Sequence, residues 1–328
     1  MTAHLGIWLS WERHTRSRSL SECLDVPLHE IVVHGNRLKR YVVSLICTVK
    51  VVKQSSTPVI FFQNPSLVLS VLLVFMRPVH KKILVMDAHN AGILPLEGRS
   101  RFLNFVAKWV VANVDITIVT NGDLANKVLG MGGNPFVLTD PIPTSMFKGQ
   151  SNKEASKGSR RVIFVCTWAY DEPYLEVIRA AKFLEGKGIS VHATGKVPSQ
   201  VRGMDKPTNF ILEGFLSSDD YIELMCGSDL VLDLTSRNSC LVCGAYEAIA
   251  SETPGVLSNN LASRTTFSKG FMFTENNGEQ IAETIQEALY CADDLRSEII
   301  DFKANYLVEI KRRVESLKQE LKPLIDHF

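Results

Sequence analysis

The sequence predicts a two-domain α/β protein with a parallel sheet in each half. Three observations predict it. The chain has 328 residues, and a single hydrophobic core stops growing near ~250 to 300 residues, so two domains are expected. A hydrophobic fraction of 45% fills two such cores. In each half, short apolar β-branched runs ending in polar or turn residues alternate with helix-period segments, the pattern of strands buried on both faces by intervening helices.

In the first half the strands are expected at Leu5 to Ser10, Glu30 to Val33, Val59 to Gln63, Ile83 to Asp87, Ile116 to Thr120 and Phe136 to Leu138. Helices are expected around Ser17 to Leu24, Leu38 to Val52, Ser66 to Met76, Arg99 to Val111 and Asp123 to Leu129. This is a Rossmann-like domain over 1–150. Gly149 to Ser159 is polar, lacks periodicity and follows Pro141 and Pro143, as a linker does. A second Rossmann-like series over 151–328 has strands at Val162 to Cys166, Ser190 to Thr194, Phe210 to Leu212, Leu230 to Leu234, Gly255 to Leu257 and Phe271 to Phe273. Its helices lie near Tyr174 to Gly186, Asp219 to Met225, Gly244 to Ser251 and Glu279 to Tyr290, before a long charged segment, Asp294 to Leu324. Two such domains make a cleft, and open parallel sheets bind ligands beyond the carboxyl ends of their strands.

Several classes are excluded. The longest apolar run, Leu67 to Met76, is interrupted by Ser70 and closed by Arg77-Pro78, short of the ~20 residues of a membrane span. Met1 to Ser10 has no basic n-region and long apolar core, which argues against secretion. Seven scattered cysteines suit reduced thiols in a cytosol, so a cytoplasmic protein is expected. No G-x-x-x-x-G-K-[ST] and no strand-linked G-x-G-x-x-G occurs, against a P-loop nucleotidase or a dinucleotide dehydrogenase. Cys240 and Cys243 form a lone C-x-x-C without a second pair, and there is no D-x-D. No metal, no cofactor and no nucleic-acid partner is therefore expected. Cut at Gln150, the chain divides into a basic half, with 16 Lys and Arg against 9 acids, and an acidic half, with 20 against 26. The basic half either meets an anion, such as a phosphate-bearing substrate or a lipid surface, or is a solvated face.

The strongest local signal is Leu230 to Ala250, a buried strand leading through a polar loop into a helix that opens near Cys243-Gly244. Unpaired amides at such a helix start form an anion site, with Arg237 on the approach loop; a diphosphate fits there. Glu247, one turn in, either accepts the hydroxyls of a ribose or is a first-turn glutamate favoured by the helix dipole. At the end of a central strand, Asp87, His89 and Asn90 can grip sugar hydroxyls; alternatively they form an Asx turn with a satisfied histidine. Arg13, His14, Arg16 and Arg18 crowd the start of the first helix, opposing its dipole, which calls either for a phosphate or for pairing with acids such as Glu12 and Glu22. On Leu38 to Val52, Lys39, Lys50 and Lys53 share a face and Val42, Val43, Ile46 and Val49 are apolar, which fits either anionic lipid or water. Trp168, with Asp171 and Glu172, either shapes a donor pocket or opens a helix.

The run GFLSSDDYIELMCGSDLVLDLTSRNSCLVCGAYEAIASETPGVLSN resembles the C-terminal half of group-1, family-4-like glycosyltransferases of the GT-B fold. In the first half, IWLSWERHTRSRSL, VMDAHNAG and IVTNGDLANKVLGMGGNPFVLTDPIP are similar to a branch of such enzymes from bacterial surface-polysaccharide clusters. The resemblance implies that Glu247 holds the donor ribose and that His89 lies against the donor sugar. The family's first glutamate of the pair, eight positions before the ribose-holding one and contacting the donor sugar, falls on Ser239, and its usual Arg and Lys after the first strand of this domain are absent from VCTWAYDEP. Arg237 and Lys196 would then neutralise the diphosphate. Cys243, Gly244, Phe215 and Trp168 complete the donor side; Arg13, His14, Arg16, Arg18 and Asn90 form the acceptor side; Asp87 joins His89 and Arg237 as catalytic candidates.

What the resemblance implies is transfer of a sugar, with retention, from a nucleoside diphosphate such as UDP to a glycan or polyprenyl-diphosphate-linked acceptor, on the inner face of the cell membrane. It also implies a terminal helix that packs back across both domains. An inverting enzyme would need a base, for which His14 or Asp87 would serve. The alternatives are a non-catalytic nucleotide-sugar-binding or partner subunit of a glycosyltransferase complex, favoured by Ser239 and the absent Arg/Lys pair, and a nucleotide-sugar epimerase on the same fold.

Overall fold

The computed structural model describes residues 4–64, 66–147 and 159–327. Of the linker expected over Gly149 to Ser159, residues 149–158 lie outside that range. The chain forms two compact units, residues 1–141 with 308–328, and residues 142–307.

In the first unit the order is β1 (Gly6–Ser10), α1 (Thr15–Leu24), β2 (Leu28–Glu30), α2 (Arg37–Gln54), β3 (Val59–Asn64), α3 (Leu67–Phe75), α4 (Arg77–His80), β4 (Ile83–Ala88), α5 (Asn90–Ile93), α6 (Arg101–Ala112), β5 (Ile116–Val119), α7 (Gly122–Gly130) and β6 (Pro135–Val137). The strands pair in parallel in the order β2-β1-β3-β4-β5-β6. Ile60, Phe62, Leu84 and Met86 pack with Leu69 and Leu73 of α3, Val110 of α6 and Val128 of α7, each fully buried side chain contributing about 1.5 to 3 kcal/mol. On the other face Trp8 stacks on Phe61 at 5.6 Å.

The second strand lies earlier than expected. Its register runs Trp8↔Leu28 to Ser10↔Glu30. Since β1 ends at Ser10, Ile31 to Val33 have almost no ladder left to join, despite their β-branched composition. Helix α2 turns small polar residues inward: its buried positions are Ser44, Thr48 and Val52, and Thr48 accepts the Trp11 indole N–H at 2.9 Å.

The second unit continues with β7 (Arg160–Phe164), α8 (Tyr174–Phe183), β8 (Ile189–Thr194), α9 (Ser199–Arg202), β9 (Phe210–Gly214), α10 (Ser218–Cys226), β10 (Leu230–Asp233), α11 (Cys243–Ser251), β11 (Gly255–Ser258), α12 (Leu261–Thr266), β12 (Phe271–Thr274), α13 (Gly278–Tyr290) and α14 (Ala292–Asp326). Its sheet is also wholly parallel, in the order β12-β11-β10-β7-β8-β9. Val162, Phe164, Leu230 and Leu232 pack with Val177 and Ala181 of α8 and Ile281 and Ile285 of α13. The division between units falls within α14, at Val308. Lys303 donates to Glu252 at 2.8 Å in the second unit, and Arg313 lies over the Phe136 ring at 4.6 Å in the first.

Short helices α4, α5, α9 and α12 were invisible to periodicity because one turn shows no repeat. All seven cysteines are free thiols. No helix among the described residues is long and apolar enough to cross a membrane.

Candidate functional site

Each strand order reverses direction once, between β1 and β3 in the first sheet and between β7 and β10 in the second. At such a switch point the neighbouring loops run apart and leave a crevice at the carboxyl ends of the strands. The loops that follow β1 and β10, Trp11 to His14 and Leu234 to Val242, are among those that sequence singled out.

At the carboxyl edge of the first sheet the centre is Arg16, only 4% exposed. Its guanidinium donates to both oxygens of Asp87, at 2.9 and 3.1 Å, to Asp140, and to the Leu138 carbonyl at 2.8 Å. Burial opposes its charge, but Asp87 and Asp140 outweigh that and hold it above its ordinary value. Arg18 is spent on Glu30, with bonds of 2.9 and 2.8 Å. The crowded cations are thus met by acids from β2, β4 and the loop after β6 rather than by Glu12 or Glu22. Arg13 alone of the three arginines is exposed without such a clamp.

Beside this clamp the rings of His14 and His89 lie 5.0 Å apart. His89 Nε2 is 3.8 Å from Asp87 Oδ2, too far for a hydrogen bond. His89 Nε2 and His14 Nδ1 are both buried with no hydrogen-bond partner. Burial, and then the neighbouring His89, push the His14 imidazole below its ordinary value. Asn90 starts α5 directly after His89.

Two further residues of this edge escaped the sequence reading. Gln63 and Asn64 end β3, 2% and 0% exposed, and Gln63 Nε2 and Asn64 Oδ1 also lack partners. Gln63 pairs in register with Asp87 and accepts from the Ser10 hydroxyl at 2.6 Å. A Cβ on Gly92 would meet Asn64 at 2.7 Å, so glycine there lets α5 close over the edge. The signal was available: two amides end an otherwise apolar buried strand. Unsatisfied buried polar atoms are costly, and the chemistry of these amides and imidazoles suits the hydroxyls of a sugar.

The edge of the second sheet is built from carboxylates. Asp233, the last residue of β10, accepts the Gly244 N–H at 2.8 Å; a Cβ at position 244 would meet the same oxygen at 2.5 Å, which explains the glycine. Glu247, one turn into α11, accepts from the Tyr221 hydroxyl at 2.5 Å. Burial pushes both carboxyls up, Asp233 with added repulsion from Glu247. The helix start near Cys243-Gly244 is thus not an empty anion hole: a protein carboxylate already holds one of its amides.

The loop after β7 repeats this arrangement. Glu172 accepts the N–H groups of Thr167, at 2.9 Å, and Ala169, at 2.9 Å, and the Thr167 hydroxyl at 2.8 Å. Trp168 is buried, takes a left-handed φ of 64° and donates to the Thr194 carbonyl at 2.9 Å. Arg237 is half-exposed, 3.3 Å from Asp171 and 3.0 Å from the Tyr170 hydroxyl. Burial works against its charge, while Tyr170 and Asp171 raise it above its ordinary value. Ser239 lies on the same β10–α11 connection and Cys243 opens α11, whereas Lys196 and Phe215 are exposed on the loops after β8 and β9. Among the described residues no group of three or more His, Cys, Asp and Glu side chains is placed to hold a metal ion.

By sequence the chain matches no family model and no curated protein. By structure it is similar to HepE of Anabaena in complex with UDP-glucose, with a TM-score of 0.75 at 13% identity over 97% of this chain and 100% of that one. It is also similar to sucrose-phosphate synthase of Thermosynechococcus elongatus, with a TM-score of 0.74 at 13% identity over 98% of this chain and 100% of that one. The fold is GT-B. A protein of Listeria monocytogenes named for UDP-N-acetylglucosamine 2-epimerase activity is similar too, at 0.58 and 12% identity over 90% of each chain. In GT-B terms, Arg16, Asp87 and the histidine pair belong to the N-terminal sheet, and Asp233, Arg237 and Glu247 to the C-terminal one.

Proposed function

We propose that the chain is a glycosyltransferase that takes its sugar from a nucleoside diphosphate, UDP being the first candidate, and passes it to a glycan or lipid-linked acceptor. The observation that carries this is Glu247, a carboxyl held by Tyr221 at the switch point of the second sheet. In that position it can accept both hydroxyls of a ribose, and solved proteins of this fold include a UDP-glucose complex.

Cleaving the anomeric bond places negative charge on the departing diphosphate, so stabilising that charge lowers the barrier. With the Gly244 amide engaged by Asp233, that task falls chiefly to Arg237, with Lys196 and the remaining start of α11. His89, Gln63 and Asn64 offer neutral donors and acceptors to sugar hydroxyls, while Arg16 and Asp87 act as positioning residues that fix the histidine pair. His14, next to Arg13, faces the acceptor side.

Thermal melts of the purified chain with uridine, guanosine and thymidine diphosphates test the proposal, since a ligand bound only by the folded state raises the midpoint. UDP is expected to raise it and Glu247→Gln to reduce the shift; the absence of any shift with all three would reject the proposal. A second reading, a non-catalytic nucleotide-sugar-binding subunit, is favoured by Asp233 and Glu172 occupying backbone amides that a diphosphate would use. Release of free nucleoside diphosphate from a panel of nucleotide sugars separates the two. Interconversion of donor sugars without an acceptor would indicate an epimerase instead.

A further inference from the structure

Strand β8, ISVHAT, alternates between two faces. Val191 and Ala193 pack in the core with Val177 of α8 and Ile281 of α13, so the period of two sets Ser190 and His192 side by side on the opposite face. His192 Nδ1 lies 2.6 Å from a carboxylate oxygen of Glu213 on β9, and its Nε2 lies 3.0 Å from the Ser190 hydroxyl. A carboxylate only accepts, so Nδ1 carries the hydrogen of the neutral imidazole and Nε2 is left to accept the Ser190 O–H. The Arg160 carbonyl, at 3.4 Å, is a longer alternative for that hydroxyl. Hydroxyl, imidazole and carboxylate thus stand in the order of a nucleophile, its base and the group that orients the base.

Two features of the sheet build this line. The β8–β9 register passes from Ala193↔Leu212 to Thr194↔Gly214, so Glu213 is the extra residue of a bulge, and Gly214 takes the left-handed φ of 77° that the bend requires. A bulge re-aims a side chain that regular pairing would fix; here it accompanies the bond from His192 to Glu213. On the other side of β8, Arg161 of β7 is the register partner of Ser190, a half-buried cation on the same face. The His192 side chain is the more enclosed of the ion-pair members, 11% exposed against 28% for Glu213, and Ser190 is half-buried. Elsewhere His89 stands 3.8 Å from Asp87, and His80 is taken up by the backbone at Leu73 and Lys82.

We propose that Ser190, His192 and Glu213 form a separate catalytic site that hydrolyses small acyl esters. Ser190 Oγ attacks the ester carbonyl carbon as its proton passes to His192 Nε2; the bond to the alcohol breaks, and the imidazolium returns the proton to the departing alkoxide. A water molecule then gives a proton to the same nitrogen and attacks the acyl-serine, and the carboxylic acid leaves as Ser190 recovers its hydrogen. Glu213 is a positioning residue that fixes the tautomer and stabilises the imidazolium. Arg161 is placed to stabilise the negative charge that develops on the carbonyl oxygen. Mid-strand and half-buried, Ser190 can be reached by a short acyl group whose alcohol extends into water. The site uses no nucleotide and stands apart from the transferase assignment.

The test is labelling of the full chain with a fluorophosphonate, which phosphonylates an activated serine, alongside hydrolysis of p-nitrophenyl acetate. One equivalent of label is expected, located on Ser190 by peptide mass. Ser190→Ala should abolish the label and lower ester hydrolysis about 10²-fold, and His192→Gln should slow labelling by a similar factor, the contribution typical of a general base. Glu213→Gln should lower the labelling rate at saturating probe while leaving the probe concentration for half-maximal rate unchanged, and Glu213→Asp should recover part of the rate. A role in packing alone would move the melting midpoint and not this split. Ser190→Ala removes one half-buried oxygen, so an unchanged melt will show that the variant folds. Label found only on other residues, or ester hydrolysis undiminished in Ser190→Ala, would overturn the site, and a Glu213→Gln rate equal to the parent's would remove the carboxylate from it.

Discussion

The two sheets bury charge at their carboxyl edges in opposite ways. In the first, a cation is enclosed by acids: Arg16 sits between Asp87 and Asp140, and the unpartnered polar atoms of His14, His89, Gln63 and Asn64 belong to groups that can be neutral. In the second, acids are enclosed without a cation: Asp233 rests on an amide and Glu247 on a phenol, and both are pushed toward protonation by burial. The first arrangement fixes geometry for hydroxyl recognition. The second keeps its acids away from any cation where an anion is proposed to arrive, and leaves the positive charge to a half-exposed arginine.

The largest expected effect is on the first edge. Removing one member of a buried ion pair leaves the other charge uncompensated, at about 3 to 5 kcal/mol. Arg16→Met should therefore lower the stability of the first unit by that order, measured by denaturant unfolding. A loss below about 1 kcal/mol would mean that the clamp is not what holds the edge together, and the contrast with the second sheet would collapse.

Arg237→Ala comes next. Its pairing with Asp171 is partly exposed, and such pairs contribute about 0 to 1 kcal/mol to stability, so the fold should stay intact. A charge-assisted contact to a departing diphosphate is worth roughly 1.5 to 3 kcal/mol, so turnover should fall about 10²-fold. Turnover within a factor of two of the parent would remove Arg237 from the chemistry.

Asp233→Asn sharpens the comparison through pH. A carboxyl whose folded value lies above its unfolded one binds more protons in the folded state, so stability falls as pH rises from the unfolded value of about 4 toward the raised folded value. One such group limits the slope to about 1.4 kcal/mol per pH unit. Asparagine can still accept the Gly244 N–H but cannot ionise, so the variant should show a flatter decline of melting midpoint with pH. Glu247, shifted in the same direction, retains its share. A slope identical to the parent's would show that Asp233 ionises freely.

The fold was legible in the sequence because β-branched runs such as Val59 to Gln63 and Leu230 to Leu234 are buried on both sides and carry their pattern locally. The loops of the candidate site were legible for the same reason, since each lies where such a run meets Gly, Asp or Arg. What could not be read was which charges meet. Arg16 reaches Asp140 across 124 positions, and Arg18 finds Glu30 rather than the nearer Glu22; no local pattern encodes such pairings. The inversion of α2 was hidden too, because a stripe shows that a helix has two faces but not which one the sheet covers.

The smallest effect, and the one of opposite sign, belongs to His14. Burial and the neighbouring His89 depress its folded value, while Asp87, Asp140 and Glu12 partly offset them. Below its unfolded value of about 6.5, the unfolded chain takes up the proton more readily than the folded one. Stability contributed by neutral His14 is thus present above that value and is lost as pH falls through the window beneath it. The first unit should lose stability on acidification below that value, whereas acidification acts in the opposite sense on the second through the raised carboxyls of Asp233 and Glu247. His14→Gln should reduce the loss in the first unit, His80, which burial also holds below its ordinary value, keeping its own share, without touching the gain in the second. Amide hydrogen exchange at pH 5.0 and 7.0 resolves the two, β4 amides reporting on one sheet and β10 amides on the other. Parallel responses in both sheets would mean that the opposite shifts of the two edges are absent in solution.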